Sequence, residues 1–533
     1  MSVLRLHNTL GHTIEPFAPA DPSRITFYTC GLTVYDDGHI GNFRAFLAAD
    51  LLRRWLESPL CNVTAPDGSE HAGPRTVRHV MNVTDVGHMT DDDAADGGGE
   101  DKMSVAGERL LEAKKSGKLP PDANVDPGDP RAIAAFFTQR FVEDAKAVGL
   151  KVVIEAEQDP TLLPRATDHV PHMIALIETL IERGHAYAVG DAGAQAVYFD
   201  VRSFPEYGKL SNNSIDELSA GAGGRIQGAN QAQKKHPADF LLWKADPSHL
   251  MKWPSPWGEG YPGWHIECSA MALERLAGAS LTTAERSFGD ATIDVHSGGE
   301  DNVFPHHECE IAQSCAATGA DRFARHWFHV RFLFVEGEKM SKSKGNFFTI
   351  RRLLDEGHEP AAVRLEIIKT HYGSKLDFRR QGLKDAAKVI DRWRRFVAAG
   401  EGSAQPGEVN AAVRSAFADA MHDDLNIAKA LGAINKWIGE TPTPTKADAE
   451  LMRVFDATLG LLELERPAEE ETSIGVFLGG LAPDAAVIER LEARAEARAA
   501  KDFAASDAIR DELAGMGYAI KDIAGGKVEV SRA

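Results

Sequence analysis

Hydrophobic and polar positions follow two periods along this chain, and the switches between them mark its elements. Arg24-Ile-Thr-Phe-Tyr-Thr29 is β-branched and aromatic and predicts a strand ending at Cys30-Gly31. The spacing then lengthens. Phe43, Phe46, Leu47, Leu51, Leu52 and Trp55 recur at three- and four-residue steps, predicting a helix opened by His39-Ile40-Gly41-Asn42. Thr76 to Met81 is a second strand candidate, followed by Asn82-Val83-Thr84-Asp85. A strand passing through glycine into a helix is how a doubly wound parallel α/β sheet begins. Residues 91–101, acidic, glycine-rich and without period, predict a mobile loop or lid.

Further helices are predicted from Asp129-Pro130 (Ile133, Phe136, Phe137, Phe141, Val148) and from about Asp168 (Val170, Ile174, Ile177, Ile181) to Gly184. Residues 211–236, rich in Ser, Asn, Gly, Ala and Gln, predict an exposed excursion. Residues 117–238 therefore read as an insertion between two halves of a Rossmann-like sheet domain, 1–116 and 239–320. In the second half a helix is expected from Ala270 and a strand over Ala291–Val295 running into His296-Ser-Gly-Gly-Glu-Asp301. Pro305-His306-His307 then starts another helix. After a segment at 321–378 the pattern is helical. A bundle is expected over 379–465, a linker near 466–472, and a small unit over 473–533 with a helix from about Asp484.

Composition narrows the class. A chain of 533 residues exceeds one compact core, so several domains are expected. No stretch approaches the roughly 18 unbroken apolar residues of a membrane span, and Met1 to Leu10 lacks the pattern of a secretory signal. A cytosolic location is expected, with no membrane partner. Five cysteines, an odd number in so long a chain, exclude a disulfide framework. The net charge of −20 weighs against nucleic acid, but one segment reverses it. Between Phe378 and Val397, Arg379, Arg380, Lys384, Lys388, Arg392, Arg394 and Arg395 oppose only Asp385 and Asp391, while Leu383, Ala387, Ile390, Trp393 and Val397 form a buried stripe. A basic helix of this kind suits phosphate contacts, and equally a solvated face.

Two polar motifs carry the chemistry. His39-Ile40-Gly41-Asn42 puts an imidazole and an amide on the first turn of a helix, where the backbone already favours anions. Gly41 allows a base or ribose close to the backbone. Lys339-Met-Ser-Lys342-Ser-Lys344-Gly-Asn346 has three lysines in six residues, suited to closing on a triphosphate. Joining an acid to a nucleotide needs such donors around the α-phosphate.

In this order the two motifs resemble the HIGH and KMSKS sequences of class I aminoacyl-tRNA synthetases. The text between them narrows the likeness: Cys30-Gly-Leu-Thr-Val-Tyr35, Asp239-Phe-Leu-Leu-Trp243-Lys244, Ser255-Pro-Trp-Gly258, Pro262-Gly-Trp-His-Ile-Glu-Cys-Ser-Ala-Met271 and Phe304-Pro-His-His-Glu308. Together they resemble the cysteinyl-tRNA synthetase family along nearly the whole chain. The resemblance implies ATP-dependent ligation of cysteine to tRNA, with Mg²⁺ accompanying ATP. It implies that Lys339 and Lys342 act on the phosphates, that His39 and Asn42 steady the transition state, and that Gly41 and Asp301 help bind ATP. Thr84, Trp264 and His296 line the substrate pocket. By the same likeness 321–378 is a stem-contact region, 379–465 an anticodon-binding bundle and 473–533 a small tRNA-binding domain; a monomer is expected. Two departures stand out: the stretch Asn82–Thr90 lacks the acidic pair that many relatives carry after the Asn-x-Thr-Asp element, and the last strand, Lys527–Ser531, lacks a usual aromatic residue.

Cys30, Cys268, His306 and Glu310 form a plausible zinc set. His306 and Glu310, four apart on an expected helix, share a face, but the cysteines are too distant for spacing alone to assemble the four. The resemblance assigns them as ligands, with zinc selecting a thiolate over the serine hydroxyl. Cys309 is a local rival for Glu310, and His307, about 100° around an α-helix from His306, is assigned to the pocket or the fold. A relative of the catalytic half that joins cysteine to an amino-sugar is the alternative activity.

Overall fold

A computed structural model describes residues 2–91, 98–115, 125–215, 234–282, 285–341, 345–464, 470–477, 481, 483–523 and 526–532. Its central sheet is built from β1 (Arg24–Thr33), β2 (Thr76–Thr84), β3 (Ile293–Gly299) and β4 (Ala324–Val330), all parallel, in the order β4-β3-β1-β2. Ile25, Phe27 and Tyr28 of β1 and Ile293 and Val295 of β3 are fully buried, as expected of strands covered on both faces.

β1 outruns its expected end at Cys30. Its register against β2 slips between Thr29 and Leu32 and then resumes. Gly31 permits this: its N–H donates to Asn82 Oδ1 at 2.9 Å, and a Cβ there would fall 1.7 Å from the Asn82 carbonyl oxygen. No other residue fits so close a backbone approach.

The helix α1 (Ile40–Glu57) follows β1 and joins two cores. Ile40, Phe43, Phe46 and Leu47 pack with the sheet, whereas Leu51, Leu52, Trp55 and Leu56 pack with Trp393, Phe417 and Phe455 of the helical region. Deep between them, Asp50 accepts from Arg364 at 2.6 Å, both side chains fully buried, while Arg364 also donates to the carbonyls of Val148, Gly149 and Leu459.

In the inserted stretch, α2 (Pro130–Ala147) starts as expected on an Asp129 cap. A four-stranded antiparallel sheet then takes Ala186–Val189, Ala196–Phe199, Phe240–Ala245 and Gly260–Pro262 in adjacent positions. It runs across the boundary expected at 238/239, so two strands placed by sequence with the second half of the sheet domain pair with the insertion. The two ends of the expected lid at 91–101 lie in a short hairpin of Met89–Asp91 with Gly98–Asp101; 92–97 of it, and 216–233 of the excursion, lie outside the described residues.

Two further boundaries move. The helix expected from Ala270 is α3 (Trp264–Leu276), beginning right after Gly263, whose Cβ would strike the Leu241 carbonyl at 2.1 Å. The strand expected over 291–295 is β3, displaced because Ala291 lies at φ 57°. Then come α4 (Glu308–Thr318), the short α5 (Ile350–Asp355), α6 (Pro360–Ile368) and the basic α7 (Arg380–Glu401), which opens a group of helices with Ala411–His422, Ile427–Glu440 and Lys446–Leu459. The last unit has its own core of Phe477, Val487, Leu491, Leu513, Tyr518, Val528 and Val530 beneath a small sheet. Among the described residues no helix is long and apolar enough to cross a membrane.

Candidate active site and metal centre

The carboxyl ends of β1, β2 and β3 open a crevice where the strand order reverses, the place at which open α/β sheets bind ligands. Cys30 enters it from β1 and Cys268 from the second turn of α3. Glu310 comes from the first turn of α4, and His306 from the turn Val303–His307 just before it. One donor atom from each of these four lies within 4.8 Å of the others. All four are buried, with relative exposures of 8% for Cys30, 1% for Cys268 and His306, and 0% for Glu310.

The distances suit a metal. The two sulfurs stand 3.7 Å apart, and two thiolates each about 2.3 Å from a tetrahedral zinc stand about 3.8 Å apart. His306 Nε2 is 2.9 Å from Glu310 Oε1, and Cys30 Sγ is 3.5 Å from the same oxygen. Burial opposes charge on Glu310, yet His296 and His306 outweigh it and hold its carboxyl down to about 2. Burial likewise disfavours a charged His306, but Glu310 and Cys268 raise it to about 10. The hydrogen bond from Cys30, against burial and with help from His306, brings the Cys268 thiol down to about 7. The Cys30 thiol is pushed well up by burial and by its hydrogen bond with Cys268. Two soft sulfurs, an imidazole and an ionised carboxylate, walled off from water, are a donor set that could hold a metal ion.

A second ring of residues orients these four. His296 Nε2 contacts Glu310 Oε2 at 2.8 Å, and its ring stacks on Trp327. His265 Nδ1 meets His306 Nδ1 at 3.0 Å, and Trp264 stacks on His306 with centroids 4.3 Å apart. Asn82 Nδ2 donates to Thr84 Oγ1 at 3.0 Å, and Asn82 Oδ1 lies 3.7 Å from Cys268 Sγ. Cys309, the rival ligand, turns away to the Tyr207 hydroxyl at 3.4 Å.

His307 comes closer than its assignment from α-helical geometry implied. Its Nε2 lies 3.3 Å from Cys30 Sγ and 4.0 Å from Glu310 Oε1, so Cys30, His296, His307 and Glu310 form a second possible grouping. The chain kinks at an extended Phe304 (φ −142°, ψ 133°) just before Pro305-His306-His307, so both histidines are carried to the same site. Sequence reasoning also missed Glu267, fully buried and 2.8 Å from His88 Nε2. Burial, with Asp85 adding to it, pushes its carboxyl well up. A glutamate amid the apolar run of α3 was the available signal, and His88 belongs to the stretch that departs from the family text.

The nucleotide motifs meet at the start of α1. His39 is its N-cap: Nδ1 accepts from the Asn42 N–H at 3.1 Å, and Asn42 Oδ1 accepts from the His39 N–H at 3.1 Å. With Nδ1 an acceptor, the proton of the neutral ring belongs on Nε2. The chain after the lysine loop docks here, Ile40 N–H donating to the Phe348 carbonyl at 3.0 Å. A methyl at Gly41 would press 2.9 Å from the His39 ring and 3.6 Å from Met340 Cε. Asn346 ties the loop ends, accepting from Ser341 N–H at 2.8 Å and donating to the Lys339 carbonyl at 3.3 Å. Lys339 is exposed, Lys342 lies outside the described residues, and Asp301 sits in the single turn Glu300–Asn302 that follows β3.

Along α7, Lys384, Lys388, Arg392 and Arg395 are exposed, whereas Arg394 is half-buried against Glu359. A charged face and a tethered one thus coexist on the same helix.

Comparison with known proteins decides the family. Residues 16–388 match the model of the class I (C) tRNA synthetase catalytic domain, and 483–529 that of the cysteinyl-tRNA ligase anticodon binding domain. A cysteine–tRNA ligase of Chlorobaculum tepidum is 38% identical, with 98% of each chain covered, and one of Thermus thermophilus is 39% identical, with 97% of each covered. The chain belongs to the cysteine–tRNA ligase family. It shares that family's ATP-dependent ligase activity. Among solved structures, a ternary complex of Agrobacterium radiobacter K84 LeuRS, tRNA and LeuAMS has a TM-score of 0.53 at 11% identity, covering 84% of this chain and 85% of that one; this likeness concerns fold alone.

Proposed function

We propose that this chain activates cysteine with MgATP and transfers it to the 3′ end of tRNA(Cys), selecting the substrate by its sulfur. The gathering of Cys30, Cys268, His306 and Glu310 within 4.8 Å at the crevice carries this reading. These four would hold zinc, which when bound supplies a soft partner for a thiolate and keeps a coordinated thiol deprotonated. Thr84 and Trp264 shape the pocket beside it, and His296, through Glu310, orients the donor set.

In the first step a cysteine carboxylate oxygen attacks the α-phosphorus and pyrophosphate leaves. His39, whose cap bond at Nδ1 leaves the ring proton on Nε2, donates it to the phosphate, and Asn42 offers its Nδ2. Lys339 and Lys342 offset charge on the departing pyrophosphate, while Gly41 and Asp301 receive the adenosine. Mg²⁺ arrives with ATP as part of the substrate. In the second step a hydroxyl of the terminal ribose attacks the adenylate carbonyl and AMP leaves. The stem-contact region 321–378, the bundle 379–465 and the unit 473–533 position the tRNA. We assign a monomer working in the cytosol.

Cysteine-dependent pyrophosphate exchange followed by transfer to tRNA tests the reading. Exchange and charging of tRNA are expected. Exchange with transfer only to an amino-sugar overturns the acceptor, and no exchange overturns the activation step.

A further inference from the structure

Two carboxylates, Asp36 and Asp37, stand immediately before Gly38-His39, where a triphosphate must come to the end of α1. Each is met by an arginine from a distant stretch of chain. Arg109 Nη1 reaches Asp36 Oδ2 at 3.2 Å. Arg140, on α2 of the insertion, grips Asp37 with both prongs, Nε to Oδ1 at 2.5 Å and Nη2 to Oδ2 at 2.7 Å. The latter pair is largely sheltered, 17% and 21% exposed, and the guanidinium lies over the Phe136 ring. A bidentate, sheltered pair holds geometry far better than a surface ion pair.

The same turn of α2 also holds the chain that follows the lysine loop. Arg351, in the first turn of α5, donates through Nη2 to Glu143 at 2.7 Å and to the Arg140 carbonyl at 3.2 Å, and stands 3.0 Å from Asp144. Just before it, the Phe348 carbonyl accepts from Ile40 and Thr349 pairs with His39 as an isolated β-bridge. Residues 140–144 therefore fasten, within one turn, both the segment leading into His39 and the segment leading out of the lysine loop.

We infer that α2 is a strap for the ATP site, with Arg140 a positioning residue that acts on ATP through Asp37. The strap does two things. It fixes the approach of the two nucleotide motifs, and it neutralises a carboxylate that would otherwise repel the triphosphate. The inference rests on His39 and the lysine loop being the ATP site. It gives the insertion a part in cysteine activation, although α2 contributes nothing to the metal centre.

The test is pyrophosphate exchange by the full-length protein, with KM measured separately for ATP and cysteine and the thermal midpoint recorded. Arg140→Ala should raise KM for ATP about tenfold and leave KM for cysteine within about twofold, since the metal centre is not touched. The exchanged pair Asp37→Arg with Arg140→Asp should bring KM for ATP back to within about threefold of the unsubstituted value. Should Arg140→Ala lack a thermal transition, Arg351→Gln, which leaves the Asp37 pair in place, carries the same expectation. An unchanged KM for ATP in a folded variant overturns the proposal. So does a rise shared equally by both substrates, or one that the exchanged pair fails to recover. Absence of exchange in the unsubstituted chain overturns the ATP-site reading beneath it, and is told apart because no variant is needed to see it.

Discussion

At the sulfur end of the crevice every donor is buried and delivered by a different regular element or by the turn leading into one. Each donor is also checked by a neighbour, His296 on Glu310, His265 and Trp264 on His306. The nucleotide end, by contrast, is a seam. Half-buried His39 and Asn42 face a chain segment joined to α1 by the Ile40–Phe348 bond and the approach of Met340 to Gly41. On the proposed reading the sulfur end selects by the softness of its metal, and its donors must be held in place to keep that metal. A site that admits ATP and releases pyrophosphate must open and be remade in each turnover. The same domain provides both by lodging one in its core and the other between segments.

Removing a metal ligand attacks the rigid end. Since even outer-sphere changes cost about 10–100-fold, Cys268→Ser should lower kcat/KM for cysteine by more than about 100-fold. Metal content, read by atomic absorption, should fall with it. Cysteine binding that survived metal loss would refute the selection role. At the seam, His39→Asn keeps a good N-cap and removes the imidazole. It should cost about 100-fold in kcat of exchange with an unchanged thermal midpoint. His39→Ala should in addition lose about 1 kcal/mol of stability in denaturant titration, the worth of a cap.

Gly31→Ala probes how far the rigid end depends on backbone. Its Cβ would displace the Asn82 carbonyl, so a loss of about 2 kcal/mol in stability is expected, with weaker metal retention measured by chelator competition. A prediction of another kind, read against pH, concerns Asp144 beneath the seam. Burial pushes its carboxyl up to about 7, although Arg351 pulls the other way. Between an unfolded value of about 3.9 and this folded one, the folded chain holds the extra proton, so stability falls as pH rises through that window. Asp144→Asn should flatten that slope in unfolding titrations run from pH 4 to 7.

Sequence made the seam's parts visible and left their joining unseen. His39, Asn42 and Lys339 announce themselves by chemistry within a few residues, but nothing in the spacing says that Phe348 binds Ile40 or that Asp37 meets Arg140. At the sulfur end the position is reversed. Cys30 and Cys268 lie 238 residues apart, so only likeness to a family could join them, and the packing of α3 against β1 and β2 is what does so physically. His307, assigned from sequence to the pocket or the fold, stands 3.3 Å from Cys30 Sγ, a contact that spacing alone does not show. The pairing of Phe240–Ala245 with Ala196–Phe199 crosses the boundary drawn at 238/239, because composition does not see pairing.

Strand β1 lies between β2, which follows it closely in the chain, and β3, which is made more than 250 residues later: Ile293 minus Thr33 is 260. On a ribosome adding about 5–20 residues each second, that interval lasts roughly 13 to 52 s. For most of it Cys30 is a thiol on an uncovered strand edge, since Cys268 follows 238 residues after it and His306 and Glu310 later still. A nascent chain of this design must keep that edge shielded and reduced until Glu310 has emerged, so a metal held by all four donors could be loaded only after the second half of the sheet domain is made.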